Sequence, residues 1–119
     1  MNLVFTKSLR KQFQFKNVYN RGKSFADKLL VMYAIRNNLN ENRLGISVSK
    51  KVGKSVVRSR ITRLIKENYR LNEKFFARGF DIVFIARNSA SQSDFYSIKN
   101  SVLLLAKKHN IMGGACDID

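Results

Sequence analysis

The residues able to do covalent or metal chemistry are few and far apart. The carboxylates are Asp27, Glu41, Glu67, Glu73, Asp81, Asp94, Asp117 and Asp119. None pairs with another at the helical or strand spacing that a two-metal nuclease needs. The single histidine, His109, falls near the end of the last expected helix. A cation there suits the helix dipole, so its position reads as a cap. Cys116, the only cysteine, stands in the tail without a nearby base, and it is not read as a catalytic thiol. One cysteine also makes neither a disulfide framework nor a Cys-based zinc site. Val52-Gly53-Lys54-Ser55 ends like a phosphate-binding loop but lacks the earlier glycine. These residues do not spell a self-sufficient nuclease or NTPase.

Binding chemistry is better represented. Between Lys50 and Arg70, eight of 21 residues are Lys or Arg: Lys50, Lys51, Lys54, Arg58, Arg60, Arg63, Lys66 and Arg70. Glu67 is the one acid in that run. On a helix at 100° per residue with Arg58 as zero, Lys66, Arg70, Arg63 and Arg60 fall at about 80° to 200°. Val57, Ile61, Leu64 and Ile65 fall at about 240° to 340°. One side is core and the other is a basic stripe. Like charges at i,i+3 and i,i+4 each cost a few tenths of a kcal/mol in the free protein. Arg58 and Arg60 sit toward the helix's positive end, the wrong end for cations. Solvated faces usually alternate signs, and this one barely does. A polyanion, and specifically nucleic acid, is the partner that such a helix fits.

A second set is aromatic. Phe15, Val18 and Tyr19 share about 100° of a short helix, Gln12–Asn20, with Phe13 off that face. Tyr33 lies on an expected strand, Lys28–Arg36, beside Val31 and Ile35. Such rings either fill a core or stack on unpaired bases, and composition leaves both open.

The elements that must position these groups are legible in outline. The length fits one domain, and 45% hydrophobic residues suffice for a core. Residues 1–10 and 110–119 read as irregular, flexible ends. Arg21-Gly22 ends the first helix, with Gly as the residue past its cap. Asn37–Asn42 is a turn by composition. Arg43–Ser49 alternates Leu44, Ile46 and Val48 against Arg43, Gly45, Ser47 and Ser49, a strand with one open face. The basic helix starts at Lys54-Ser55, where Ser makes a good cap, and runs to about Phe76–Ala77. Gly79 separates it from a central strand, Phe80–Arg87. Asn88–Asp94 is a loop that caps a final helix, Ser93–His109, whose core face is Phe95, Ile98, Val102 and Leu105. No apolar run approaches the roughly 20 residues that span a bilayer, and no signal-like segment appears, so the expected setting is the cytoplasm.

The run LGISVSKKVGKSVVRSRITRLIKENYR, 44–70, resembles the protein subunit of bacterial ribonuclease P. That pattern has an SVSKK-like strand end, a glycine turn and an Arg-Asn-Arg-type basic helix. RKQFQFKNVYNRG (10–22) and IARNSAS (85–91) are similar to its flanks. Ser59, Thr62 and Lys54 depart from it, standing where Asn, a basic residue and Asn are usual. The resemblance implies an α+β domain, α-β-β-β-α-β-α, with a four-stranded sheet. Its first strand would be short, near Ser24–Ala26, and its crossover through the basic helix left-handed. It implies a large catalytic RNA as partner, bound by the basic residues named above, and Mg²⁺ held mainly by that RNA and the substrate. It implies non-catalytic help in removing the 5′ leader of precursor tRNA. The leader would lie in a cleft of Phe15, Tyr19, Val31, Tyr33, Ser47 and Ser49. The rival reading is a ribosomal or other architectural RNA-binding protein.

Overall fold

A computed structural model describes residues 3–112 of the 119-residue chain. The expectations for Cys116, Asp117, Asp119 and the Gly113-Gly114 tail lie outside them. The elements are β1 (Thr6–Ser8), α1 (Gln12–Arg21), β2 (Lys23–Ala26), β3 (Leu30–Arg36), β4 (Asn42–Ser47), α2 (Ser55–Asn72), β5 (Phe80–Ala86) and α3 (Phe95–Lys108). Short 3₁₀ turns cover Glu73–Phe75 and Asn88–Gln92. The sheet has five strands in the order β1-β4-β5-β3-β2. The apolar run Phe80–Ala86 takes the centre, with Ile82, Val83 and Phe84 fully buried. It pairs parallel with β4 and antiparallel with β3. Helices α2 and α3 cover one face around Tyr69, Ile61, Ile65, Ile98, Val102 and Leu105. Helix α1 covers part of the other, through Val18 on Val83 and Leu9.

The fifth strand corrects the expected four and the expected irregular start. Residues 4–9 lack a strand's apolar alternation, so nothing local announces β1. Distant groups hold it. Glu73, buried at the end of α2, accepts the Val4 and Phe5 N–H groups at 2.8 and 3.0 Å. The Thr6 and Tyr69 hydroxyls meet at 2.7 Å. Asn42 N–H donates to the Phe5 carbonyl and Leu9 N–H to the Leu44 carbonyl, which makes β1 parallel to β4.

Three end assignments also change. Gly22 is not left-handed: it is extended, with φ −82°. Its value is closeness, because a Cβ there would stand 2.6 Å from the Val18 carbonyl oxygen and 3.0 Å from that of Ala34. Arg58 N–H donates to the Lys54 carbonyl, so Lys54 occupies the cap of α2 and Ser55 is already helical. Helix α2 stops at Asn72, where the chain tightens and turns Glu73 inward. The Asp94 cap holds as expected, accepting the Ser97 N–H at 2.8 Å.

His109 is not a dipole-stabilised cation. It caps α3, but its Nε2 contacts the Met32 carbonyl at 2.7 Å and its ring packs edge-on to Phe25. Burial, and to a lesser degree nearby Lys23, lowers its pKa from 6.5. A neutral imidazole donating through Nε2 therefore fastens α3 to β3.

Candidate nucleic-acid interface

Strand register sets side chains in rows across the α1 face. One row is Ser24, Tyr33, Val83 and Gly45; the next is Ala26, Val31, Ile85 and Ser47. Helix α1 lies over the first row. Phe15 sits on Gly45 so closely that a Cβ there would be 2.6 Å from the ring. The second row is left half-exposed: Val31, Ile85 and Ser47 are all intermediate in burial, and Ala26 is open. The result is a cleft with an apolar floor, a hydroxyl at the β4 end and an aromatic wall. Phe15 and Tyr19 stand 6.3 Å apart by ring centroid, and Tyr19 meets Tyr33 edge-on at 5.1 Å. Burial, and then the Tyr33 phenol, raise the Tyr19 pKa above 10.0, with Ser47 opposing. Tyr19 is therefore a neutral ring with a hydroxyl that can donate and accept.

The structure thus brings together Phe15, Tyr19, Val31, Tyr33 and Ser47. Both fates open to the rings apply in part: each is half-buried against the small α1 core and keeps one side open. Ser49 is not part of this group on the strand. β4 ends at Ser47, and Ser49 lies exposed in the following turn, its carbonyl accepting Val52 N–H. The Gly45 position is also less open than a Gly-Ser face suggests, since Phe15 fills it. Ile85 and Ala26 join the cleft without having been expected there. Period two alone could not find Ile85, because its strand is apolar on both parities and only the pairing register assigns it to this row.

The basic residues divide into free and engaged groups. Lys50, Lys51, Lys54, Arg63 and Lys66 are exposed. Arg58 is half-buried, with Nε donating to the Gly53 carbonyl at 3.2 Å. Arg60 turns away from the stripe and donates to the Ser91 and Ser93 carbonyls before α3. Arg70 is paired with Glu67. The exposed stripe and the cleft adjoin. A groove lined by Arg63, Thr62 and Lys66 passes over Ile46 to Gly45 and Phe15. Cations then meet phosphates beside rings that accept bases, the combination used to hold a single strand.

The six carboxylates among the described residues all have internal partners. Asp27 accepts the Leu29 and Leu30 N–H groups, Asp94 caps α3 and Glu41 faces Lys7 at 3.5 Å. Asp81 is buried and takes Arg43 bidentately at 2.7 and 2.8 Å, with Asn37 at 2.9 Å. Glu67 and Glu73 are accounted for above. No group of three or more His, Cys, Asp or Glu converges among the described residues, and this donor set does not fit Mg²⁺. The arrangement can bind and orient a strand.

Known proteins resemble this chain over nearly all of its described residues. The family model described as Ribonuclease P matches residues 5–110. The ribonuclease P protein component of a Clostridium botulinum strain is 56% identical over 104 residues, covering 87% of this chain and 94% of its own. That of Lachnoclostridium phytofermentans is 52% identical over 110 residues, covering 92% and 95%. Among solved structures, the RNase P protein of Staphylococcus aureus superposes with a TM-score of 0.82 at 34% identity, covering 89% of this chain and 97% of that one. The Thermotoga maritima RNase P protein gives 0.78 at 32%, covering 85% and 96%.

Proposed function

This chain belongs to the ribonuclease P protein family, and on that premise we propose that its α2 stripe binds the catalytic RNA while its α1 cleft holds the 5′ leader of precursor tRNA. As the protein component it is a subunit of the ribonucleoprotein endonuclease that matures tRNA 5′ ends. The relatives' names favour this reading over a ribosomal or architectural role. Exposed Lys50, Lys51, Lys54, Arg63 and Lys66, with half-buried Arg58, meet phosphates of the catalytic RNA. Phe15, Tyr19 and Tyr33 stack on or cradle leader bases, and Ser47 adds a hydroxyl beside them. Mg²⁺ stays with the RNA and substrate, where it supplies the hydrolytic chemistry; the carboxylates among the described residues are occupied structurally. The complex works in the cytoplasm, and no helix among the described residues is long and apolar enough to cross a membrane.

The observation that carries the proposal is the junction of the two surfaces. The cation groove runs into the aromatic cleft at Ile46 and Phe15, so one strand can pass from the RNA-facing helix into the cleft. The test is cleavage of precursor tRNA by a bacterial ribonuclease P RNA at low Mg²⁺, with and without this protein. The protein should lower the Mg²⁺ requirement and cut nothing alone. Metal-dependent cleavage by the purified protein alone overturns the division of labour.

A further inference from the structure

We propose that a second cationic pocket, at the β2 edge of the sheet, binds the phosphodiester backbone of leader nucleotides farther upstream than those in the cleft. This rests on the leader reading above and extends the path of the strand. Arg21 ends α1, Lys23 opens β2 and Arg36 closes β3, and the three line one pocket with Phe80 and His109. All three cations are exposed, and none has an acidic partner among the described residues. The Arg36 guanidinium lies 5.2 Å from the centre of the Phe80 ring, which steadies it without neutralising it. Burial chiefly lowers the pKa of His109, and Lys23 stands near enough to add to that.

The position of this pocket selects its ligand. The α2 stripe lies toward β4, at the far end of the sheet from β2. The cleft row crosses four strands, about 14 Å at the usual strand spacing. At its β4 end it opens onto Lys66 and Arg63. At its other end it opens at Ala26 onto β2, where all four residues are exposed. Lys23 is three residues along that edge strand, about 10 Å away. A strand leaving the cleft and turning around the edge reaches the pocket directly. An apolar floor with cations at both ends suits a polyanion held by its bases in the middle and its phosphates outside. The ligand class is single-stranded RNA backbone, and its source is the leader.

The test uses the holoenzyme and a series of precursors whose leader is lengthened one nucleotide at a time. The variant is Arg21→Gln, Lys23→Gln, Arg36→Gln, with Lys23→Gln alone as a milder second. Thermal melts should match the unsubstituted protein, because all three side chains are exposed. For short leaders the triple variant should bind as the unsubstituted protein does. Past the length that fills the cleft, the unsubstituted protein should gain affinity and the triple variant should not, lagging by about tenfold. Its salt slope for long leaders should flatten by about two, at roughly 0.7 for each single-strand phosphate no longer neutralised. Equal losses at every leader length, no loss at any length, or a loss confined to assembly with the catalytic RNA each overturns the proposal. Failure of the leader reading itself looks different: the unsubstituted holoenzyme would then ignore leader length altogether.

Discussion

In the proposed function leader binding turns on Phe15 and Tyr19, and their half-burial fixes what truncation does. Tyr19→Ala should weaken binding of precursor tRNA by about 1–3 kcal/mol as its stacking is removed. Mature tRNA, which has no leader, should bind unchanged, and titration of both against the holoenzyme checks this. Matching losses for the two would return Tyr19 to a purely structural role. Gly45 gives an independent handle. An added Cβ meets the far end of the Phe15 ring at 2.6 Å and the Leu9 Cβ at 3.3 Å, so Gly45→Ala should mainly swing the ring, with a smaller shift at Leu9, rather than unfold the sheet. Leader affinity should drop while assembly with the catalytic RNA holds. His109 supplies a pH test. Its folded pKa lies below 6.5, so the unfolded chain takes up the proton first. Its contribution to stability is complete above about pH 6.5 and is lost as pH falls from there toward the folded value. Denaturant midpoints compared across that range should fall more steeply for the natural protein than for His109→Gln.

Among the elements, α2 braces the fold as well as carrying the proposed RNA-binding stripe. Arg63 and Lys66 point to solvent, whereas Arg60 joins α2 to the carbonyls before α3. Arg63→Ala with Lys66→Ala should therefore reduce the log–log salt slope of assembly with the catalytic RNA by about two. Melting should be unaffected, and an unchanged slope would show that this face does not meet RNA. Arg60→Ala should instead lower the melting temperature, since the Ser91 and Ser93 carbonyls are left without their donor. β1 depends on the other end of α2. Removing the Glu73 carboxylate leaves the Val4 and Phe5 N–H groups without their acceptor, at a cost of about 1–3 kcal/mol. Hydrogen exchange of Glu73→Ala should show faster exchange confined at first to residues 4–9. Uniform protection there would mean that pairing with β4 suffices by itself.

Across the whole molecule, the sheet works as a divider. One face is sealed by α2 and α3 around a large core, and the other is only partly covered by α1. That unequal coverage creates the cleft. A longer α1, or one displaced toward the Val31–Ile85 row, would bury the floor and close it.

The sequence alone determined what depends on neighbours along the chain. The alternation of Leu44, Ile46 and Val48 gave β4, the two-sided apolar run gave the central strand, and Asp94 marked the start of α3. The clustering of Lys and Arg from 50 to 70 points to a polyanion whatever the tertiary structure. Tyr33 was placed with Val31, and Phe15 with Tyr19, because period two and a 100° turn are local rules. Groups whose partners are remote in sequence were decided only by the tertiary structure. β1 needs Glu73 and Tyr69, more than 60 residues away, and its own residues carry no strand pattern. Arg60 and Arg63 are the same residue type on one helix, yet Arg60 is drawn inward because Ser91 and Ser93 carbonyls lie within reach. Ile85 joins the cleft because β5 pairs with β3 in one register, and a slip of a single residue would turn it to the other face. His109 is neutral because packing against Phe25 buries its ring, which lowers its pKa even though the Met32 carbonyl acts the other way. Local pattern fixes which groups are available, and long-range pairing decides which of them face one another.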